Sequence, residues 1–476
     1  MSDTSSPVTF GKQVAIREAS PLTDELRRIA FVTLGCPKNQ VDSEVMLGHL
    51  DRAGYRTTGD LADADVAVVN TCAFLESAIK ESIDTILEVA EHKTSSRLQK
   101  LVIAGCLTQR YGQELLNELP EVDAVMGTGD IDRIVQVISG LMDPAKGLLP
   151  TVDDPDRPAG DLSGRVLSTS IVSPYLKISE GCSAKCTFCI IPQLRGPGRS
   201  RTREELVGEA ERLVSLGAKE LVLIAQDLTA YGMDLYDGKP SLGNLLRDLN
   251  QVEGLHWVRL MYANPFFWDE DLIDAFATLE KVVPYADMPV QHLSDRMLKV
   301  MGRQTDQKTI LTLIDTLRSR VPNLALRTNI IAGFPGETDQ DFEELMRLLA
   351  EIRFEKLVAF PYSAEDGTAA VNLRQHVSEA VTVERVDQIL TQQGEISLRR
   401  NREQVGNLLS VLIEKEATPE SPAAVGRSHR EAPEVDGAVH VAGTGLRVGE
   451  FYSVRITGAD AYDLVGMVEG HPTENL

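Results

Sequence analysis

The chain has 476 residues, 43% of them hydrophobic and 25% charged, with 71 acidic against 48 basic side chains for a net charge of −23. Six cysteines over this length exclude a secreted disulfide scaffold, no apolar run approaches the ~20 residues needed to cross a bilayer, and Met1–Ser20 lacks the apolar core of a signal peptide. A cytoplasmic globular protein of about two to four domains is expected, too acidic to suit a phosphate-gripping surface. Its charge serves solubility or attracts a basic protein.

Residues 1–28 read as a flexible leader. A βα series follows: Ile29–Leu34 as a buried strand, Asp42–Leu50 as a helix opening on an acidic cap, and Val66–Val69 as a second strand. Residues 73–91 read as a helix with Leu75, Ile79, Ile83 and Leu87 on one face; Leu101–Ala104 and Val122–Met126 are two further strands. Alternation of this kind predicts an open parallel sheet flanked by helices over 29–145. Cys36, Cys72 and Cys106 each follow one of the first three strands, 36 and 34 residues apart. Ligands of open parallel sheets bind beyond the carboxyl ends of the strands, so these cysteines are expected to converge there. Lone cysteines are more often unrelated buried thiols, but that leaves their common position unexplained, and a cluster site is favoured.

Turn residues such as Asp153-Asp-Pro-Asp-Arg-Pro-Ala-Gly160 mark a linker over 146–168. From 169 to 395 the βα alternation resumes, with strands expected at Tyr175–Ile178, Glu220–Ala225, Trp257–Met261, Tyr285–Pro289, Ala325–Ile331 and Leu357–Pro361. One intervening helix, Glu204–Val214, carries Leu206, Val207, Ala210, Leu213 and Val214 in register. Six strands fall short of the eight of a closed barrel, so a partial (β/α) barrel is expected. Beyond 396 the pattern becomes short strands at Leu408–Ile413, Gly437–Ala442 and Phe451–Ile456, which predict a small antiparallel, OB-like β-barrel. The fold class is therefore α/β with a C-terminal β module.

The most specific signal is Cys182-Ser-Ala-Lys-Cys186-Thr-Phe-Cys189. Three thiolates within eight residues can hold three irons of a cubane, leaving the fourth iron open to a substrate. A closed zinc site wants a fourth Cys or His nearby; after Cys189 come Ile190, Ile191 and Pro192, and the next histidine is His256. Gly181 lets the backbone turn before the first cysteine. Gly333-Phe-Pro-Gly-Glu337 follows a strand and reads either as a close backbone approach to a nucleoside or as a simple βα turn. Gln226-Asp227 reads as a cosubstrate contact or as a hydrogen bonder at a sheet end. Gln226, Arg327, Gly333 and Glu337 are the candidate cosubstrate-binding residues.

The triplet, with Phe188 before its third cysteine, resembles the motif of the radical S-adenosylmethionine (SAM) enzymes. Further stretches resemble the methylthiotransferase family within that group: Thr33-Leu-Gly-Cys-Pro-Lys-Asn39 with Val41-Asp-Ser-Glu44, Gln226–Gly232, Pro289–Asp295 and Pro361–Thr368. The resemblance spans about residues 29–470 and implies an N-terminal methylthiotransferase domain, a radical SAM domain and a TRAM domain at 396–476. It further implies an auxiliary 4Fe-4S cluster on Cys36, Cys72 and Cys106 and a radical 4Fe-4S cluster on Cys182, Cys186 and Cys189. SAM would be the cosubstrate, and an electron-transfer protein such as flavodoxin or ferredoxin the external electron donor.

Pro37 and Lys38, and Ile190-Ile191-Pro192, resemble the RimO branch, which modifies an aspartate of small-subunit ribosomal protein twelve. The alternative is the branch that methylthiolates a tRNA adenosine (MiaB-like). Residues 404–476 carry five basic against eleven acidic side chains, a net −6, which favours a basic ribosomal protein over tRNA as the partner. Arg427, His429 and Arg430 form the only basic knot there and are expected to lie in a solvated loop. The β-carbon of an aspartate is unactivated, so hydrogen-atom abstraction accounts for the need for a radical; SAM would serve twice, as methyl donor and as radical source.

Overall fold

The computed structural model describes residues 28–142, 152–156, 162 and 164–470. Apart from Arg28, the leader expected at 1–28 lies outside the described residues, as do parts of the linker expected at 146–168. The chain divides into two compact units, one of residues up to Thr169 together with Gln193–Arg195, the other of Ser170–Pro192 and Gly196 onward.

The first unit holds β1 (Arg28–Thr33), α1 (Pro37–Arg52), β2 (Arg56–Thr58), β3 (Val66–Thr71), α2 (Glu76–Ser95), β4 (Lys100–Gly105), α3 (Cys106–Glu118), β5 (Ala124–Met126) and α4 (Ile134–Met142). Its strands form one parallel sheet in the order β2-β1-β3-β4-β5. All six residues of β3 are buried, as suits a central parallel strand covered on both faces. The expected open parallel sheet is present, with the short edge strand β2 added.

Two local expectations are corrected. Helix α1 opens at Pro37, not Asp42, with Cys36 at its N-cap; proline suits the first helical position because its missing N–H needs no partner there. On α2 the buried face is Ser82, Ile86, Val89 and Ala90, while Leu87 is 42% exposed. Residues spaced by four advance about 40° around a helix at each step, so Leu75 and Leu87 do not share a face. The linker's described residues bind the first unit: Arg165 is buried against Glu44 of α1 at 3.0 Å, and Asp153 accepts from Arg133 at 2.6 Å.

The second unit runs β6 (Tyr175–Lys177), β7 (Ser179–Glu180), α5 (Ile191–Arg195, whose last three residues pack with the first unit), β8 (Arg199–Ser200), α6 (Arg203–Ser215), β9 (Glu220–Ile224), α7 (Leu242–Asn250), β10 (Trp257–Leu260), α8 (Glu270–Thr278), β11 (Val282–Asp287), α9 (Asp295–Val300), α10 (Gln307–Arg320), β12 (Ala325–Ala332), α11 (Asp339–Ile352), β13 (Lys356–Pro361) and α12 (Glu379–Arg402). Six parallel strands in the order β13-β12-β11-β10-β9-β6 make the expected partial barrel. On α6, Leu206, Ala210 and Leu213 face the core as their spacing requires.

After α12 come β14 (Leu408–Lys415), β15 (Ala424–Arg427), β16 (Val439–Ala442), β17 (Phe451–Ala459) and β18 (Leu464–Gly470), a closed barrel in the order β14-β15-β16-β18-β17. It is antiparallel as expected except where β16 and β18 run parallel. Val411, Ile413, Val439, Val441, Val454 and Leu464 fill its centre.

The loop from β15 to β16 packs beneath the six-stranded sheet, against residues toward the amino ends of its strands. Glu220, the first residue of β9, accepts from Arg259 Nε and from Arg427 Nη2, each at 2.6 Å. Tyr175 donates to Glu434 at 2.8 Å and Tyr285 to Asp436 at 2.7 Å. The basic knot expected in a solvated loop is therefore buried, with Arg427 3% and Arg430 4% exposed. For Arg427, Glu220 and Glu414 supply the compensation that a buried guanidinium needs.

Candidate active site with two cysteine triads

The first triad sits at the carboxyl ends of three neighbouring strands. Cys36 caps α1 after β1, Cys72 follows β3, and Cys106 opens α3 after β4. Two glycines make this possible. Gly35 (φ +89°) lies so close that a Cβ there would stand 2.7 Å from Cys72 Cβ, and one on Gly105 (φ +96°) would stand 2.6 Å from the Thr71 carbonyl oxygen. Asn39 ties the loops together by donating to the Leu34 and Thr71 carbonyls, each at 2.9 Å. Burial, then the neighbouring Cys106 and Cys36, pushes the Cys72 thiol up to about 12. Burial likewise raises Cys106, against the lowering effect of the Arg195 guanidinium.

The second triad lies on the loop between β7 and β8, which pair as a two-residue ribbon at its base. Gly181 takes φ +78° before Cys182, the tight turn expected of it. Thr187 is pinned by backbone bonds to Met301 and Ala370, and Phe188 meets Phe334 edge-on at 6.3 Å within an apolar cluster with Met297 and Met301. The aromatic residue before the third cysteine thus anchors the loop. Burial pushes Cys182 up to about 11 and Cys189 up to about 12, and the neighbouring thiols of the triad add to it. Arg303 donates to Cys186 Sγ at 3.4 Å.

Thiols raised in this way are the opposite of nucleophilic or redox-active cysteines, whose thiolates are stabilised. A bound metal, by contrast, deprotonates a coordinating thiol outright. Among the described residues no three His, Cys, Asp or Glu side chains are gathered to hold a single metal ion. Zinc, at about 2.3 Å per Zn–S bond, would draw its thiolates nearly into contact. Two isolated groups of three thiols are the donor chemistry of iron–sulfur centres with one iron left free.

Beside Cys182 opens a cavity of 320 Å³ lined by Ser179, Ser183, Ser200, Asp227, Met233, Phe267 and Gln304, among others. Its volume suits a small-molecule cosubstrate. Asp227 is 7% exposed and accepts from Thr229 and Asn264; its carboxyl is raised by burial. Asn264 in turn accepts from Arg303, so one chain of hydrogen bonds joins the cavity wall to Cys186.

Three family profiles match: an uncharacterized protein family, UPF0004, over residues 28–127, the radical SAM superfamily over 176–349, and the TRAM domain over 405–468. The chain is 48% identical over 447 residues to a ribosomal protein uS12 methylthiotransferase RimO of Anaeromyxobacter sp. (strain Fw109-5), covering 94% of each chain. It is 44% identical to the RimO of Clostridioides difficile (strain 630), covering 93% of this chain and 98% of that one. The chain belongs to the RimO family of methylthiotransferases. A solved structure of the radical S-adenosylmethionine methyltransferase TsrM from Kitasatospora setae superposes with a TM-score of 0.55 at 14% identity, covering 78% of this chain and 89% of that one. It shares the fold.

Within this RimO-family chain the four candidate cosubstrate residues fall in different places. Gln226 follows β9 and donates to Glu180 at 2.6 Å, while its buried Oε1 has no partner, an acceptor suited to a ligand's ammonium group. Arg327 pairs with Asp287 at 2.7 Å and reaches Asp436 of the C-terminal barrel at 3.5 Å, below the strand ends. Gly333 takes φ +75° and has no room for a Cβ against Thr382. Glu337 accepts from the Gly333 N–H, from Arg385 at 2.9 Å and from His292 Nε2 at 3.2 Å. His292 Nδ1 accepts from Leu293 and Ser294 N–H groups, which leaves Nε2 as the donor. Gly333 and Glu337 thus fix the shape of the loop after β12. Sequence reasoning missed Arg195 and Arg303: no spacing rule marks a buried arginine, although Arg195 lies only six residues beyond Cys189.

Proposed function

We propose that the chain transfers a methylthio group to the β-carbon of an aspartate in small-subunit ribosomal protein twelve. The observation that carries this reading is the pair of cysteine triads in a RimO-family chain, three free thiols at each of two loop clusters, buried or half-buried. Cys36, Cys72 and Cys106 would hold the auxiliary 4Fe-4S cluster, and Cys182, Cys186 and Cys189 the radical one; residues 29–145 and 169–395 would be their domains. When bound, the clusters and SAM supply the sulfur, the methyl group and the hydrogen-abstracting radical.

The chain's own residues do the positioning. Thr187 and Phe188 fix the cysteine loop, Asp227 and Asn264 orient Arg303 against Cys186, and Gln226 Oε1 offers an acceptor to the cosubstrate. The buried walls keep water from the reacting groups. No helix among the described residues is long and apolar enough to cross a membrane. The acidic barrel at 404–476 suits a basic ribosomal protein, and an electron-transfer protein such as flavodoxin or ferredoxin would deliver the electron.

The test is anaerobic reduction with SAM and either the basic ribosomal protein or tRNA, followed by mass analysis. One methylthio group gained by the protein is the expected result. A gain on tRNA alone would move the chain to the adenosine-modifying branch, and no gain on either, with 5′-deoxyadenosine still formed, would leave the radical chemistry without this substrate.

A further inference from the structure

Arg195 is among the largest fully buried side chains, 1% exposed, in a chain that otherwise keeps most charges at the surface. It lies six residues beyond Cys189 in sequence, yet with Gln193 and Leu194 it packs into the first compact unit. There its Nη1 pairs with Asp42 of α1 at 3.0 Å, its Nη2 donates to Asn39 Oδ1, and it is a hydrogen-bond partner of Cys106. Thr128 fixes the same segment by donating to the Leu194 carbonyl at 2.6 Å. Asn39 is also the residue that ties the Cys36 and Cys72 loops. The first triad is therefore incomplete without a residue delivered by the segment that follows the second.

We infer that Arg195 is a positioning residue of the auxiliary cluster, setting its reduction potential through a charged N–H···S bond to Cys106 with Asp42 as its counter-charge. The inference rests on the cluster assignment proposed above. Reduction adds negative charge to a cluster, and a nearby guanidinium and a hydrogen bond to sulfur favour that state. Asp42 opposes it. Removing the arginine lowers the potential, and neutralising the aspartate raises it.

The experiment uses full-length chains in which Cys182, Cys186 and Cys189 are replaced by alanine, so that only the auxiliary cluster forms. Iron and sulfide content is measured first, then the potential by anaerobic titration followed by electron paramagnetic resonance. About four irons per chain are expected; an iron-free parent would sink the cluster assignment itself, not the role of Arg195. In Arg195→Gln the reduction equilibrium should shift at least tenfold toward the oxidised cluster, about 59 mV for one electron. Arg195→Lys should recover part of the shift, and Asp42→Asn should move the potential the other way. Equal potentials in parent, Arg195→Gln and Asp42→Asn chains of equal iron content would overturn the inference. If Arg195→Gln fails to take up iron, Asp42→Asn decides: a raised potential supports the inference and an unchanged one refutes it.

Discussion

Arg427→Met tests whether the loop from β15 to β16 is an integral floor of the six-stranded barrel. Arg427 bonds Glu220 and Glu414, each at 2.6 Å, Ser173 Oγ at 3.0 Å and the Glu431 carbonyl at 3.0 Å. Glu220 has no exposed surface, so losing Arg427 leaves one oxygen of a buried carboxylate without its partner while Arg259 holds the other. Breaking a buried pair in this way costs about 3–5 kcal/mol. The pH dependence gives a figure for the two arginines together, net of burial. Burial pushes Glu220 up, but Arg259 and Arg427 outweigh it and hold it at about 2, below its ordinary 4.5. At about 1.36 kcal/mol per pH unit that difference is worth about 3 kcal/mol. Because the folded value is the depressed one, this stability is complete above about pH 4.5 and is lost as the pH falls toward 2. Urea unfolding followed by tryptophan emission reads the contact directly. Trp257, one of only two tryptophans, stands edge-on to Phe451 of the C-terminal barrel at 4.7 Å. The expected result for Arg427→Met is a loss of about 3–5 kcal/mol at pH 7, shrinking as the pH is lowered from 4.5 toward 2. A loss under about 1 kcal/mol, typical of exposed pairs, would refute the reasoning.

Cys72→Ala should still form 5′-deoxyadenosine from SAM and should not methylthiolate the ribosomal protein; a modified product by mass would contradict the division of labour between the triads. Gly35→Ala forces a Cβ to 2.7 Å from Cys72 Cβ at a φ of +89°, so it should lose about four of about eight irons per chain while SAM cleavage persists; full iron content would count against the close approach. Arg385→Ala removes one of the donors that fix Glu337 and should raise the SAM concentration for half-maximal cleavage about tenfold, roughly 1.4 kcal/mol. An unchanged value would separate the loop after β12 from cosubstrate binding. Tyr285→Phe leaves Asp436 without its 2.7 Å donor and should cost about 1–3 kcal/mol in urea unfolding, a cost that vanishes if the loop is peripheral.

The strands that were legible are those whose residues are apolar on both faces. Val66–Thr71 and Glu220–Ile224 are buried throughout, and such runs declare themselves by composition. Strand β2 (Arg-Thr-Thr) was invisible because a three-residue edge strand carries no periodicity. Strand β15 was hidden by Gly426, which weakens a strand signal yet is required here, since a Cβ would meet the Leu412 carbonyl oxygen at 2.4 Å. The cysteines were legible twice over, by local spacing in one triad and by position after successive strands in the other. Their supporting residues were not: Arg303 approaches Cys186 from 117 residues away, and nothing local in a sequence reports such a contact.

The charge of the C-terminal barrel shows how burial changes the meaning of a composition. Its five basic residues against eleven acidic ones already disfavour a nucleic-acid surface. Arg427 and Arg430 are withdrawn from that surface altogether, at 3% and 4% exposure. Arg455 is held bidentately by Glu469, at 3.0 and 2.8 Å, and Arg447 lies 3.9 Å from Glu450. The field that an incoming macromolecule meets thus keeps the acidic sign of residues 404–476, net −6, with no exposed basic knot. Phosphate binding depends on exposed lysine and arginine that release counterions, and here four of the five basic side chains are buried or lie beside carboxylates. The one basic knot, expected in a solvated loop, is a structural joint, and its absence from the surface favours a basic protein partner over a nucleic acid.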